Sequence, residues 1–456
     1  MSFAIDLKGW LQKQVCRGRW CGTQTIGIGL IVLIGALLPS AVIDAASLVG
    51  NAAQNVSGTQ VPDQVEVKEI AHLSITRDVD GLAWSPNGKY LAALSYWGST
   101  LTIWDTETWV KVNEFVRREG GAIVEYGLDF SSDYTVLTST MMRASFDPNY
   151  DDQSKYFNLM EWDIRTGKYL RSLPSTPIRL PDMRDRSRMQ LFTVSGDQRF
   201  VAGVSRVLEN TIAVLDLRTG KAVFARSIPI DWGVDLSASK ASKTEGIRAL
   251  SLSADGRYLA VGTSSEQRTR QNKTLAGGGR VYILDTMTGK TLNSFWAYRW
   301  EPDFELDHTD ADGWVVYRPR DIYRVCSIAL SPDGQWVVTG KDRLFNTKTG
   351  NTIAATIWNA RIGAKVTDME GDVYHDGAMV LVDPIKTMAW HDDWLAMINQ
   401  LGSVRVYSLQ DPSHPRLLFK SKGYWMAINT RLAVSGGGLV AYSNGNHIHV
   451  LKVNNH

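Results

Sequence analysis

From residue 65 onward, apolar and polar positions repeat in one order. A stretch of apolar-x-apolar ends in a small polar residue, a tight turn follows, and a second apolar stretch begins. The first members are Leu82-Ala-Trp84-Ser85, Leu128-Asp-Phe130-Ser131, Phe192-Thr-Val194-Ser195, Leu250-Ser-Leu252-Ser253, Ile328-Ala-Leu330-Ser331, Met388-Ala-Trp390-His391 and Leu432-Ala-Val434-Ser435. A third stretch follows each: Ile103-Trp104-Asp105, Glu161-Trp162-Asp163, Val214-Leu215-Asp216, Ile283-Leu284-Asp285, Ile357-Trp358-Asn359, Val406-Tyr407-Ser408 and Val450-Leu451-Lys452. After most of these comes a Gly-containing turn such as Arg165-Thr-Gly167-Lys168, and then a fourth stretch. Short alternating runs bounded by turn residues predict strands. Four antiparallel strands repeated seven times predict an all-β, seven-bladed β-propeller.

The seventh repeat ends with its third strand, Ile448 to Val453. Residues 65–74 precede the first repeat and have strand character, so they are expected to close the last blade and remove its open edge. The residues resemble the WD40 repeat family and its bacterial relatives: Trp104-Asp105 and Trp162-Asp163, the Ser-Pro-Asx-Gly turns at 85–88 and 331–334, and the Asp-x-x-Thr-Gly-Lys turns. The resemblance covers residues 65–453 and implies the propeller fold, while leaving its function open. The family's Gly-His dipeptide is missing, so its Asp-His-Ser/Thr-Trp hydrogen-bond network is expected to be missing too.

A different pattern precedes the repeats. Residues 22–43 carry no charge and centre on an apolar run from Ile26 to Leu38, with Lys8, Lys13, Arg17 and Arg19 before it. About 20 apolar residues span a bilayer as a helix, and the positive flank stays on the cytoplasmic side. The predicted organisation is a cytoplasmic basic segment 1–21, a transmembrane signal anchor 22–44, a linker 45–64 and the propeller 65–456. The chain is then a single-pass membrane protein with its propeller on the extracytoplasmic (periplasmic or lumenal) side. A cleavable signal peptide, with Pro39-Ser-Ala41 near the cut, is the competing reading.

Antiparallel alternation puts the a–b and c–d turns at one end of a propeller and the b–c and d–a connections at the other. The long segments (142–157, 174–189, 229–246, 264–279, 297–322, 341–355 and 363–384) are b–c or d–a connections. One end is therefore plain and the other built up. Loops carry function more often than the scaffold beneath them, so the built-up end is the expected binding face.

Composition narrows the partner. Lys and Arg number 49 against 47 Asp and Glu, a net charge of +2, which gives no electrostatic footprint for nucleic acid. Cys16, Cys21 and Cys326 are the only cysteines, which excludes a disulfide framework. No HExxH, Gly-x-Ser-x-Gly or clustered His/Asp/Cys motif is present, and no cofactor is implied. The residues expected to meet a protein partner are Trp296, Trp300, Trp314, Arg318 and Arg320, since aromatic and Arg side chains dominate interface energetics. Arg184 and Arg188 in a mixed-charge run, and the His375-Asp376 pair, join them. Asp310 and Asp312 sit in a calcium-loop-like stretch, but His308 and Pro319 occupy the first and last ligand positions, so a plain turn is the reading. Ala276-Gly-Gly-Gly-Arg280 lacks the Lys-Ser/Thr of a phosphate loop and reads as a flexible connection.

Three functions fit. The first is a membrane-anchored scaffold holding a protein partner on the built-up face. The second is an enzyme or cofactor-binding propeller with a polar site of converging Arg, His and Asp at the channel mouth. The third is a subunit of a membrane complex, in which Gly27, Gly29, Gly35 and Ala36 let the membrane helix pack closely on others.

Overall fold

The computed structural model describes residues 66–454, apart from the segments 96–99, 117–126, 140–158, 174–188, 206–209, 230–241, 269–273, 300–304, 310–314, 319–324, 342–343, 347–352, 377–378, 383 and 422–430. The chain divides into two units, Met1–Pro62 and Asp63–His456. The basic segment, the anchor and the linker lie outside the described residues. Among the described residues no helix is long and apolar enough to cross a membrane.

The second unit holds seven four-stranded antiparallel sheets. Blade 1 runs Val79–Trp84, Tyr90–Ser95, Thr100–Asp105 and Lys111–Val116 as strands a to d, and blades 2 to 6 repeat that order. Blade 7 takes a, b and c from Leu432–Val434, Leu439–Asn444 and His447–Asn454, and its d strand is Glu66–Ser74. The a strands of neighbouring blades touch one another around a closed ring, with the first meeting the seventh. Sequence rhythm and fold agree: each apolar-x-apolar-Ser stretch is the end of an a strand.

The core lies between blades. Seven apolar clusters correspond to the seven interfaces between neighbours. One packs Ala92, Leu94 and Ile103 of blade 1 on Phe130, Val136 and Trp162 of blade 2, and another packs Leu73 and Ile448 of blade 7 on Leu91 and Trp104 of blade 1. Each blade is apolar on both faces because each face is covered by a neighbour, so no single blade can bury its own surface.

Every d strand carries a β-bulge at the same place. The extra residue is Val112, Leu170, Val223, Leu292, Val366 and Leu418 in blades 1 to 6. In blade 7 it is Ile70, so the N-terminal strand obeys the rule of the six it imitates. A bulge adds one unpaired residue and increases local twist, which bends each outer strand around the rim. It also explains why Val112, Leu170, Leu292 and Ile70 are exposed. They recur one to a blade, the distribution expected of repeat geometry and not of an apolar docking patch.

The polar signatures of the repeat are turn caps. Ser331 Oγ donates to Asp333 Oδ1 (2.6 Å) and accepts the Trp336 N–H (2.9 Å) across the a–b turn. Asp163 Oδ1 accepts the N–H groups of Arg165 and Thr166 (2.9 Å each) across a c–d turn. The Arg165 guanidinium beside it holds that carboxyl below its ordinary value. The family's network survives in half: Trp162 Nε1 donates to Thr138 Oγ1 (3.0 Å) and Trp358 Nε1 to Thr339 Oγ1 (2.9 Å).

The built-up end has its own secondary structure. Blade 4 strands lengthen there, to Ser242–Leu252, Tyr258–Arg268, Thr274–Asp285 and Thr291–Arg299. Residues 276–280, expected as a flexible connection, are part of the third of these strands, paired with both neighbours. Glycine fits there because a Cβ on Gly278 would come within 2.6 Å of the Trp296 ring. A hairpin, Glu305–Thr309 with Val315–Arg318, is inserted between blades 4 and 5. A three-stranded sheet joins Leu344–Asn346, Met379–Val382 and Val373–Asp376, drawn from the b–c and d–a connections of blade 5.

Candidate functional site

The seven a strands surround a central channel with a cavity of about 500 Å³. Each a strand has a free edge, whose backbone groups need partners. Some are supplied by the adjacent blade. Asp129 Oδ2 accepts the Val194 N–H (3.3 Å), Ser251 Oγ accepts the Leu330 N–H (2.9 Å), and Ser327 Oγ donates to the Ile385 carbonyl (2.9 Å). Asp129 lies partly open to the channel but has protein on its other sides. Burial away from bulk water pushes its carboxyl up to about 6, against the two backbone N–H groups that favour the charge.

The inner strands also bulge, at a second repeated position. In blades 1, 3, 5 and 6 the extra residue is the second of strand a (Asp80, Gln190, Cys326 and Lys386), and in blade 4, whose strand a is lengthened, it is Arg248 at the equivalent repeat position. Bulges re-aim side chains near functional sites. Arg248, Cys326 and Lys386 line the channel, and Arg248 and Lys386 are exposed. Strand a begins where the d–a connection arrives, so these groups stand at the mouth on the built-up end. His391 and Asp392, 3.2 Å apart, lie at the opposite end of the channel in an a–b turn. Five residues of strand separate Lys386 from His391, about 16 Å at roughly 3.3 Å per residue. The cationic and His/Asp groups of the channel are therefore spread along it, too far apart to handle one proton together.

The residues expected to meet a partner are placed as follows. Trp296 is half-buried in strand Thr291–Arg299, where its ring covers Gly278 and lies 5.5 Å from the Arg280 guanidinium. Arg318 ends the inserted hairpin, and His375 and Asp376 end strand Val373–Asp376 of the added sheet. Trp300, Trp314, Arg320, Arg184, Arg188, Asp310 and Asp312 lie outside the described residues. Arg248, Cys326 and Lys386 had a signal that reading single motifs misses. Each stands five residues before the Ser or His of its repeat signature (Ser253, Ser331 and His391), and only superposing the seven repeats exposes that position.

Comparison with known proteins agrees with this geometry. The sequence model of the family "WD domain, G-beta repeat" matches residues 65–105 and 320–345. The B subunit of eukaryotic translation initiation factor 3, from Neosartorya fischeri and from Aspergillus fumigatus, is 28% identical over 178 residues, 36% of this chain. The matched region spans about a fifth (22%) of the length of those relatives. The solved structure of U3-55K superposes with a TM-score of 0.55 at 12% identity, over 87% of this chain and 100% of that one. At that identity the likeness is one of fold.

Proposed function

Taking as premise that the chain is a WD40-like seven-bladed β-propeller, we propose that it is a membrane-anchored, extracytoplasmic scaffold that holds a protein partner on its built-up end. One observation carries the reading: what departs from the repeat gathers at that end. The lengthened blade 4, the inserted hairpin, the added sheet and the bulge-aimed Arg248, Cys326 and Lys386 all belong to it. The polar signatures of the repeat sit at the other end and cap their own turns. The curated relatives support membership of an assembly, since both are named as one subunit of a larger factor. Residues 22–44 anchor the chain, and the charge bias before them directs the propeller outward.

The test is purification of the full-length chain in mild detergent, followed by mass spectrometry of the co-isolated chains. A reproducible partner lost on Arg248→Glu/Lys386→Glu substitution is the expected result. Recovery of the bare chain, or a partner indifferent to those changes, contradicts the proposal. Protease added outside intact cells or spheroplasts tests location separately: cleavage within the propeller is expected, and protection until lysis places the domain inside.

A further inference from the structure

The geometry points to a zinc-class divalent metal site on the closing blade, clipping the N-terminal strand to the C-terminal strand. Three of the chain's eight histidines gather on these two strands. The register sets His72 directly opposite His449, with Ser74 opposite His447. The bulge after Glu69 shifts the pairing by one residue. Glu69 thereby comes to the same face as His72 and His449. One ligand atom from each of Glu69, His72 and His449 lies within 4.8 Å of the other two.

These donors suit a transition metal. Two imidazoles and a carboxylate form a known three-ligand zinc set, with ligand bonds of about 2.0–2.2 Å. Tetrahedral ligands at that bond length stand about 3.3 Å apart. His449 Nδ1 and Glu69 Oε1 are already 2.9 Å apart. His449 is fixed, because its ring stacks on buried Tyr442 at 4.9 Å and 13° and its side chain is only 14% exposed. His72 and Glu69 are exposed and free to close the remaining distance by rotamer change. His447 Nδ1 stands 3.2 Å from His72 Nε2, within reach of the ring's second nitrogen. Ligand histidines are commonly oriented by such neighbours. His72 and His447 are exposed with their rings 5.2 Å apart, so they bury little apolar surface and packing does not call for placing them there.

The consequence is mechanical. Glu66–Ser74 and His447–Asn454 stand at opposite ends of the sequence, and their pairing is what shuts the ring. A metal bound across them closes a long loop, where a cross-link removes the most chain entropy. The N-terminal strand also directly follows the linker from the proposed anchor, so tension on the anchor reaches this joint first.

Full-length protein carrying a non-histidine affinity tag, stripped with chelator in detergent, is titrated with Zn²⁺ alone by calorimetry and with Co²⁺ by visible absorption. One ion per chain, a tetrahedral Co²⁺ spectrum and a thermal midpoint raised by several degrees are expected. Uptake should vanish in His72→Ala/His449→Ala and weaken in Glu69→Gln. His414→Ala, which removes an exposed histidine bonded to Asp411 elsewhere, should bind as the parent does. Circular dichroism and tryptophan emission establish that each variant is folded. No stoichiometric uptake by the folded parent, or equal uptake by the double variant, overturns the site.

Discussion

Asp372→Ala should cost this propeller more stability than any single surface change. Asp372 lies just after the d strand of blade 5 and accepts from Arg405 Nη2 (2.6 Å) and Asn399 Nδ2 (3.0 Å) of blade 6, with Lys420 also paired to it. Its side chain is 9% exposed and that of Arg405 10%, whereas Lys420 is 48% exposed. Burial alone raises the Asp372 carboxyl, but Lys420 and Arg405 outweigh it and hold the group below its ordinary value. Opposite charges about 4 Å apart at an effective dielectric of about 20 attract by about 4 kcal/mol. Desolvation offsets most of that in the intact pair. Removing one partner leaves the other buried and uncompensated, at a cost of roughly 3–5 kcal/mol. Lys420 is half-exposed, so its contribution is screened by water and falls short of the buried Arg405 pair in the stability balance. With a urea slope of about 3 kcal/mol per molar, the midpoint should fall by about 1–1.7 M. Asp372→Ala/Arg405→Met removes the stranded cation and should recover most of the loss. A single variant within about 1 kcal/mol of the parent, or a double variant no better than the single, would refute the reasoning.

Three further outcomes follow from other parts of the ring. Asp129 has a folded value of about 6 against 3.8 unfolded, so the folded state holds its proton more tightly and stability falls as pH rises from about 4 to about 6, by at most about 3 kcal/mol. Asp129→Asn should flatten that slope in urea melts, and an unchanged slope contradicts it. The Asp372 contribution has the opposite sign and a lower window, since a depressed carboxyl stabilises above its unfolded value and is lost as pH falls through the folded one. Gly334→Ala should lower the thermal midpoint well beyond Gly88→Ala: both glycines have φ near +70°, but only at 334 does a new Cβ meet Tyr258, at 2.3 Å. The strain at 88 costs about 1 kcal/mol and the clash adds about 1–3, so equal midpoints would mean that the blades yield at no cost. Thr339→Val strands the buried Trp358 N–H and removes one of two acceptors near the Tyr298 hydroxyl, for a loss of about 1–3 kcal/mol in denaturant melts.

The fold was legible because its signals are local and repeated. Ser331, Asp333 and Gly334 read as a turn whatever surrounds them, and seven such turns count the blades. Closure by residues 65–74, observed as strand Glu66–Ser74, was legible because the seventh repeat lacked a fourth strand. The seven outer bulges were not, because Val112, Leu170 and Ile70 look like ordinary strand residues until their partners' register is known. The Gly277–Gly279 run read as a loop because glycine disfavours strands. Strand pairing and the Trp296 ring override that preference, and neither is visible in a single sequence. The site was harder still. Arg248, Cys326 and Lys386 belong to three different blades, and only closure of the ring brings them to one mouth. Glu69, His72 and His449 are brought together by the longest-range strand pairing among the described residues.

The most direct test of the scaffold account is site-specific photo-crosslinking in living cells. A photoreactive amino acid replaces Arg248, Lys386 or Arg318 on the built-up end, and Val110, Met287 or Ile362 in exposed c–d turns of the plain end. The account predicts that the first three capture the same protein partner and that the second three do not. Capture from the plain end alone, or no shared partner from the built-up end, would contradict it.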